Sequence, residues 1–276
     1  MYRLLLLLRR AFFNSLMNGA FGLAKAAAYS GLLSLFPLLS AIAAILVQAN
    51  AEAVSNYLAQ FLFEFVPPGT AEMVEYQFTS RGERPLWLLI GALLISAWAA
   101  ASLMESLMDG FRAAYRIPAG RGIVKDRMFA LLMVFLTAIP AIVGSALLIF
   151  GQRVEQEILS AFGVEREGVV AFLSSILRFA FSFIAVMFNA ALMYYFAPNR
   201  PMRWHYVWPG AFAATLLWLI VTLLFGWYVR NLADYNVMYG SVGGVIAMLV
   251  WMYLLAFIAL FGCEFNAEYE RLARAR

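Results

Sequence analysis

Six long stretches of the chain carry almost no charge: residues 26–47, 86–103, 128–150, 169–197, 207–229 and 239–262. Each approaches or exceeds the roughly 20 apolar residues that a helix needs to cross a bilayer. The pattern predicts an all-α polytopic membrane protein with about six transmembrane helices. Pro37 lies inside the first stretch and Pro140 inside the third. A helical proline removes one backbone donor and frees the carbonyl four residues back, here Leu33 for Pro37, so a kink is expected. Ser30 and Ser34, one turn apart before it, could satisfy freed groups. The fourth stretch is longer than a simple crossing requires.

Between these stretches the apolar residues recur at helical spacing. Leu4, Leu5, Leu8 and Phe12 share one face of an N-terminal helix closed by Arg9 and Arg10. The apolar run is too short for a cleavable signal, so residues 1–25 read as a cytoplasmic interfacial segment. Val54, Tyr57, Leu58, Phe61, Leu62 and Phe65 repeat likewise until Pro67-Pro68-Gly69, predicting a short helix on the outer face. Leu103, Leu107, Phe111 and Tyr115 recur every four residues, so the second span continues into, or abuts, an amphipathic cytoplasmic helix.

Composition agrees with these elements. Of 276 residues, 64% are hydrophobic and 13% charged, against about 25% charged in soluble domains. Six spans and their connectors use nearly the whole length, giving a single membrane domain with residues 263–276 as a cytoplasmic tail. Charge then sets the orientation. Fourteen Lys and Arg fall on the side of the N-terminus and five opposite, with Arg178 left inside the fourth span. Basic residues collect on cytoplasmic segments, so both termini are expected in the cytoplasm. The same bias accounts for the net charge of +4 without a nucleic-acid partner.

Little in the sequence points to catalysis. His205 is the only histidine, Cys263 the only cysteine, and the acids are scattered, which leaves no set of ligands for a metal. No phosphate loop, dinucleotide fingerprint or hydrolase motif is present, so neither an enzyme nor a cofactor is expected. The polar residues of the fourth span stand out instead. At about 100° per residue, Ser174, Arg178, Ser182 and Asn189 fall in one stripe. Such groups turn toward protein or water, because lipid is costly for them. The stripe can be a polar pathway with Arg178 as its fixed charge. Alternatively Arg178 snorkels at the outer interface while Ser and Asn join neighbouring helices.

The sixth span opens with Gly240, Gly243 and Gly244, small residues that allow close helix packing and, with Pro37, are candidate hinge or packing positions. Trp251 and Tyr253 fall mid-span and read as core. Glu264 and Asn266 are placed at the cytoplasmic boundary, solvated or paired.

Ordered short motifs carry a resemblance. Ala28-Tyr29-Ser30-Gly31-Leu32-Leu33-Ser34-Leu35-Phe36-Pro37-Leu38 opens the first span. Later come Pro209-Gly210-Ala211, Trp218, Phe225-Gly226-Trp227-Tyr228, Tyr235-Asn236, Tyr239-Gly240-Ser241, Trp251-Met252-Tyr253 and Gly262-Cys263-Glu264-Phe265-Asn266-Ala267. Their combination, over most of residues 26–267, resembles the YihY / virulence factor BrkB family, formerly labelled ribonuclease BN-like. Cys263 stands where that family usually has a small residue, and Lys25 lies in a variable stretch. The resemblance implies a multi-pass protein of the bacterial cytoplasmic (inner) membrane, with a virulence association and ties to envelope lipids and export. Three functions follow as expectations. The first is a transporter or flippase-like protein for an anionic solute or envelope lipid, with membrane lipids as partners. The second is a non-transporting envelope scaffold or assembly factor. A ribonuclease comes last.

Overall fold

Leucine, alanine and phenylalanine dominate the apolar stretches, and in the computed structural model of the chain one long helix covers the described part of each stretch, apart from Ala197 and Val207 beside the helix ends. The structure describes residues 2–48, 86–118, 120–161, 168–231 and 242–274. They form α1 (Tyr2–Met17), α2 (Ala20–Gln48), α3 (Leu86–Ala114), α4 (Ile123–Ala161), α5 (Gly168–Phe196), α6 (Trp208–Asn231) and α7 (Val242–Arg274), with a single 3-10 turn at Trp204–Tyr206 before α6. No strand occurs among the described residues. Helices α2 to α7 are each long and apolar enough to cross a membrane. The expected outer-face helix around residues 54–65, and the motif residues Tyr235, Asn236, Tyr239, Gly240 and Ser241, lie outside the described residues.

Each helix packs on the next in sequence, and α7 returns to α2, closing a ring of six. This order sets α2 across from α5. Helix α7 also touches α3, and α1 lies along α7. The outside of the ring is apolar. Trp87, Leu94, Ile95, Phe135, Ile142 and Leu223 are all exposed. A protein in water does not present so broad a greasy surface, whereas lipid tails solvate it.

Several helices outrun the hydrocarbon. At 33 residues, α7 is about 50 Å long against about 30 Å of bilayer core. Sequence periodicity ends the sixth apolar stretch near Gly262, but the helix continues without a break to Arg274. That continuation is not a loose tail, since Cys263, Phe265 and Ala267 are buried. Likewise α3 runs on to Ala114, and Leu107, Phe111 and Tyr115 are buried in the protein core.

The main core therefore sits at the end of the ring that carries both chain termini. Phe111, Met108, Tyr194 and Val207 are essentially inaccessible there. The Phe111 and Tyr194 rings meet edge to face at 5.5 Å. Turn chemistry fixes the helix ends around it. Gly19, at φ +73°, turns α1 into α2. At the end of α3 the Ile117 N–H bonds the Arg112 carbonyl and the Arg116 N–H bonds the Ala113 carbonyl, a Schellman closure. Its left-handed residue, usually glycine, is Arg116 at φ 56°.

Pro37 lies inside an unbroken α2. The Ser34 hydroxyl donates to the Gly31 carbonyl at 2.8 Å, so it does not serve the carbonyl of Leu33 that the proline frees. Ser96 of α3 donates to the Ser34 carbonyl at 2.9 Å and ties the two helices together beside the proline.

Candidate functional site

Two polar regions occupy opposite ends of the ring. The first is the α5 stripe. Ser182 is buried, and its hydroxyl donates to the carbonyl of Arg178 one turn earlier at 3.0 Å. The Arg178 side chain lies along α4 over Gly151, where a Cβ would stand 3.1 Å from the Arg178 Cδ. Its guanidinium carbon is 5.5 Å from the Phe179 ring centroid. Ser174 is half-buried and has a polar neighbour. Asn189, nearer the termini end, has a buried Oδ1 with no hydrogen-bond partner. Arg178 lies about 27 Å along the axis from Phe196, at about 1.5 Å per residue. The seam between α4 and α5 is lined with small residues, with Gly144 beside Ala185.

The second region surrounds the buried part of α7, and four chain segments converge on it. Helix α1 runs antiparallel to α7: Asn14 Nδ2 donates to Glu268 Oε1 at 2.7 Å, and Asn18 Nδ2 to Glu264 Oε2 at 3.0 Å. Arg271 pairs with Glu268 and donates to the Ala114 carbonyl of α3 at 2.6 Å. Arg200, in the loop after α5, pairs with Glu270 at 2.7 Å and lies over the Tyr115 ring at 4.5 Å. Arg274 pairs with the same carboxylate. Beside the α3–α4 connector Arg112 of α3 pairs with Asp109 of the same helix at 2.9 Å and with Asp126 of α4 at 2.6 Å. Arg127 reaches Glu105 at 2.6 Å, and its guanidinium stacks on Trp98.

Arg121 completes the connector by donating to the Phe196 and Ala197 carbonyls, which have no helical partner at the end of α5. Burial and the neighbouring Arg112 push its guanidinium down from the ordinary value, against the pull of Asp126. It remains a cation throughout the physiological range.

Asn266 is wholly buried and locks α7 to α6. Its Oδ1 accepts from the Gly210 N–H at 2.6 Å and its Nδ2 donates to the Val207 carbonyl at 3.0 Å. The backbones cross so closely that a Cβ on Gly210 would collide with the Gly262 carbonyl oxygen. This contact explains the Pro209-Gly210 and Gly262-to-Asn266 motifs as two sides of one joint. Glu264 is 2% exposed and its Oε1 has no hydrogen bond, with Arg271 3.8 Å away. Of the two states expected for Glu264 and Asn266, solvated or paired, the structure shows the second: both are buried and hydrogen-bonded.

Of the other motif positions, Tyr29 is exposed, Ser34, Pro37 and Trp251 are half-buried, and Tyr253 packs against the core. Gly243 and Gly244 are buried at the start of α7. Asn14, Asn18, Arg112, Asp126, Arg200, Glu268 and Glu270 did not emerge from the sequence as a site. One signal was available: asparagines spaced i, i+4 in the first helix match glutamates spaced i, i+4 near the end of the last. Among the described residues no group of three or more His, Cys, Asp or Glu stands close enough to hold a metal.

The comparisons with known proteins agree on one kinship. A family model described as Virulence factor BrkB matches residues 11–276. A putative ribonuclease-like protein YfkH of Bacillus subtilis is 27% identical over 241 residues, covering 87% of this chain and 86% of that one. A UPF0761 membrane protein of Alteromonas mediterranea is 29% identical over 244 residues, covering 87% and 80%. Another from Tolumonas auensis is 25% identical over 243 residues, covering 87% and 77%. No solved structure matches.

Proposed function

The chain belongs to the virulence factor BrkB family of membrane proteins, and from that premise we propose that it moves an anionic solute or envelope lipid, as a transporter or flippase. The observation that carries this reading is the α5 face, where Ser174, Arg178, Ser182 and Asn189 align inside a helix otherwise made for lipid. A cation so placed offers a fixed counter-charge to a headgroup or solute anion. The buried Asn189 Oδ1 without a partner leaves a further polar group unspent on the same face. Pro37 on α2, across the ring, and Gly243 and Gly244 at the start of α7 provide the places where the path flexes.

The charge bias supports a topology with both termini in the cytoplasm, and the bacterial relatives support the cytoplasmic membrane. In that orientation the filled core around Phe111 and Tyr194 closes the inner end, and the substrate loads from the far side. The test is flux in proteoliposomes, with a fluorescent anionic phospholipid and a small organic anion as probes. Wild type moves one of them and Arg178→Ala loses most of that flux. Equal flux from both proteins, with matched folding, sinks the role of Arg178.

A non-transporting envelope scaffold is the second reading, and the densely packed inner end is the observation in its favour. A Ser182→Cys variant separates the two. Labelling of that thiol by a water-soluble maleimide speaks for a hydrated path, and complete protection speaks for the scaffold. A ribonuclease stands last, since the name of the Bacillus relative is its main support. Metal-dependent RNA cleavage by the purified protein, lost on mutating named acids, is what would revive it.

A further inference from the structure

Helix α1 has two apolar faces, and the protein covers only one. Leu7 and Ala11 are buried against Phe261 and Phe265 of α7. On the opposite face Phe13 is 57% and Met17 84% exposed, with Leu5 and Phe12 also open. Arg9 and Arg10 are exposed beside them. Among the described residues neither arginine forms an ion pair. The surrounding chain supplies no counter-charge, since the first acid in the sequence is Glu52. The acids near α1 in space, Glu264 and Glu268, are buried beneath it and occupied by Asn18 and Asn14.

We propose that the outward face of α1 lies in the headgroup region of an anionic leaflet, with Arg9 and Arg10 on lipid phosphates, and that this contact holds the α1–α7 latch shut. Two observations select a bilayer as the occupant. The exposed Phe13 and Met17 are followed, across the short Asn18-Gly19 turn, by exposed Phe21 at the start of the crossing helix α2. The unpaired charges on that face are all basic, which an anionic headgroup layer complements and a neutral one does not. Gly19, at φ +73°, is the joint about which α1 would lift. Lifting would strip Asn14 and Asn18 from Glu268 and Glu264, leaving buried carboxylates short of donors. Lipid on one face of α1 therefore stabilises hydrogen bonds on the other. This inference stands apart from the transport reading.

The test is hydrogen–deuterium exchange of the full chain in nanodiscs of phosphatidylcholine alone or mixed with phosphatidylglycerol. Amides of residues 5–18 should exchange roughly twenty-five-fold more slowly in the anionic discs, from about fivefold for each arginine. Arg9→Gln with Arg10→Gln should abolish that difference, and Arg9→Lys with Arg10→Lys should retain it. Asn14→Ala with Asn18→Ala should speed exchange of α1 in both lipids. Unchanged exchange of residues 243–260 certifies the fold in each variant. Equal exchange of wild-type α1 in the two lipids overturns the proposal, as does a slowing that survives the glutamine substitutions. A dimer cross-linked through α1, protected equally in both lipids, would assign the face to a second copy instead.

Discussion

At the termini end of the ring Asn266, Arg271 and Arg112 each bond across to another helix or connector, whereas on α5 Ser182 bonds only to its own backbone and Arg178 slides along a glycine of α4. Both regions place polar groups in or beside an apolar environment. At the termini end most of these groups meet a partner with good geometry, so they specify which helices meet and at what register. On α5 the Ser182 hydroxyl is spent on its own helix, so it does not tie α5 to a neighbour. Transport would need movement of the second kind of region against a base of the first kind.

Substitutions should separate the two. The largest loss is expected for Asn266→Ala, which orphans the Gly210 N–H and takes from the Val207 carbonyl one of its two donors, leaving the Ala211 N–H. At roughly 1–3 kcal/mol for the orphaned N–H and about 0.5–1.5 kcal/mol for the second lost bond, the protein should lose about 1.5–4.5 kcal/mol, read as a fall in thermal midpoint in detergent. An unchanged midpoint would mean that this joint does not organise the termini end. Next comes Gly210→Ala, whose methyl meets the Gly262 backbone and cannot be relieved by a rotamer. A loss of about 1–3 kcal/mol should appear in the same measurement. Arg116→Gly should act in the opposite direction, because glycine removes roughly 1 kcal/mol of left-handed strain at the end of α3. A lower midpoint for that variant would show that the Arg116 side chain contributes more than its backbone costs.

The smallest change is expected for Gly151→Ala, the counterpart of Gly210→Ala in the other region. Its methyl meets only the flexible Arg178 side chain, which can shift, so stability should change by less than about 1 kcal/mol. Flux should still fall, because Arg178 is displaced. A loss of stability as large as that of Gly210→Ala would erase the distinction between the two regions.

Membrane crossings could be read directly, because a helix surrounded by lipid must be apolar along about 20 residues whatever its neighbours are. For the same reason the stripe on α5 was visible: polar residues at helical spacing stand out against an apolar background. The network around α7 was hidden. Its glutamates follow Gly262, a residue that looks like a helix end, and each finds its partner in a distant segment. Glu264 meets Asn18, and Glu270 meets Arg200. Along the chain, Arg200 contributes only to the charge bias that sets orientation.

Composition and periodicity by themselves determined a six-crossing helical membrane protein with an amphipathic N-terminal helix, since these depend on how each segment meets its solvent. Tertiary structure alone decided that α7 closes the ring on α2, that Glu264 and Asn266 are interior, and that Arg178 lies on α4. Those outcomes depend on which helix faces which, and pairing between separate segments, from Arg178 over Gly151 to Asn18 with Glu264, leaves almost no local trace.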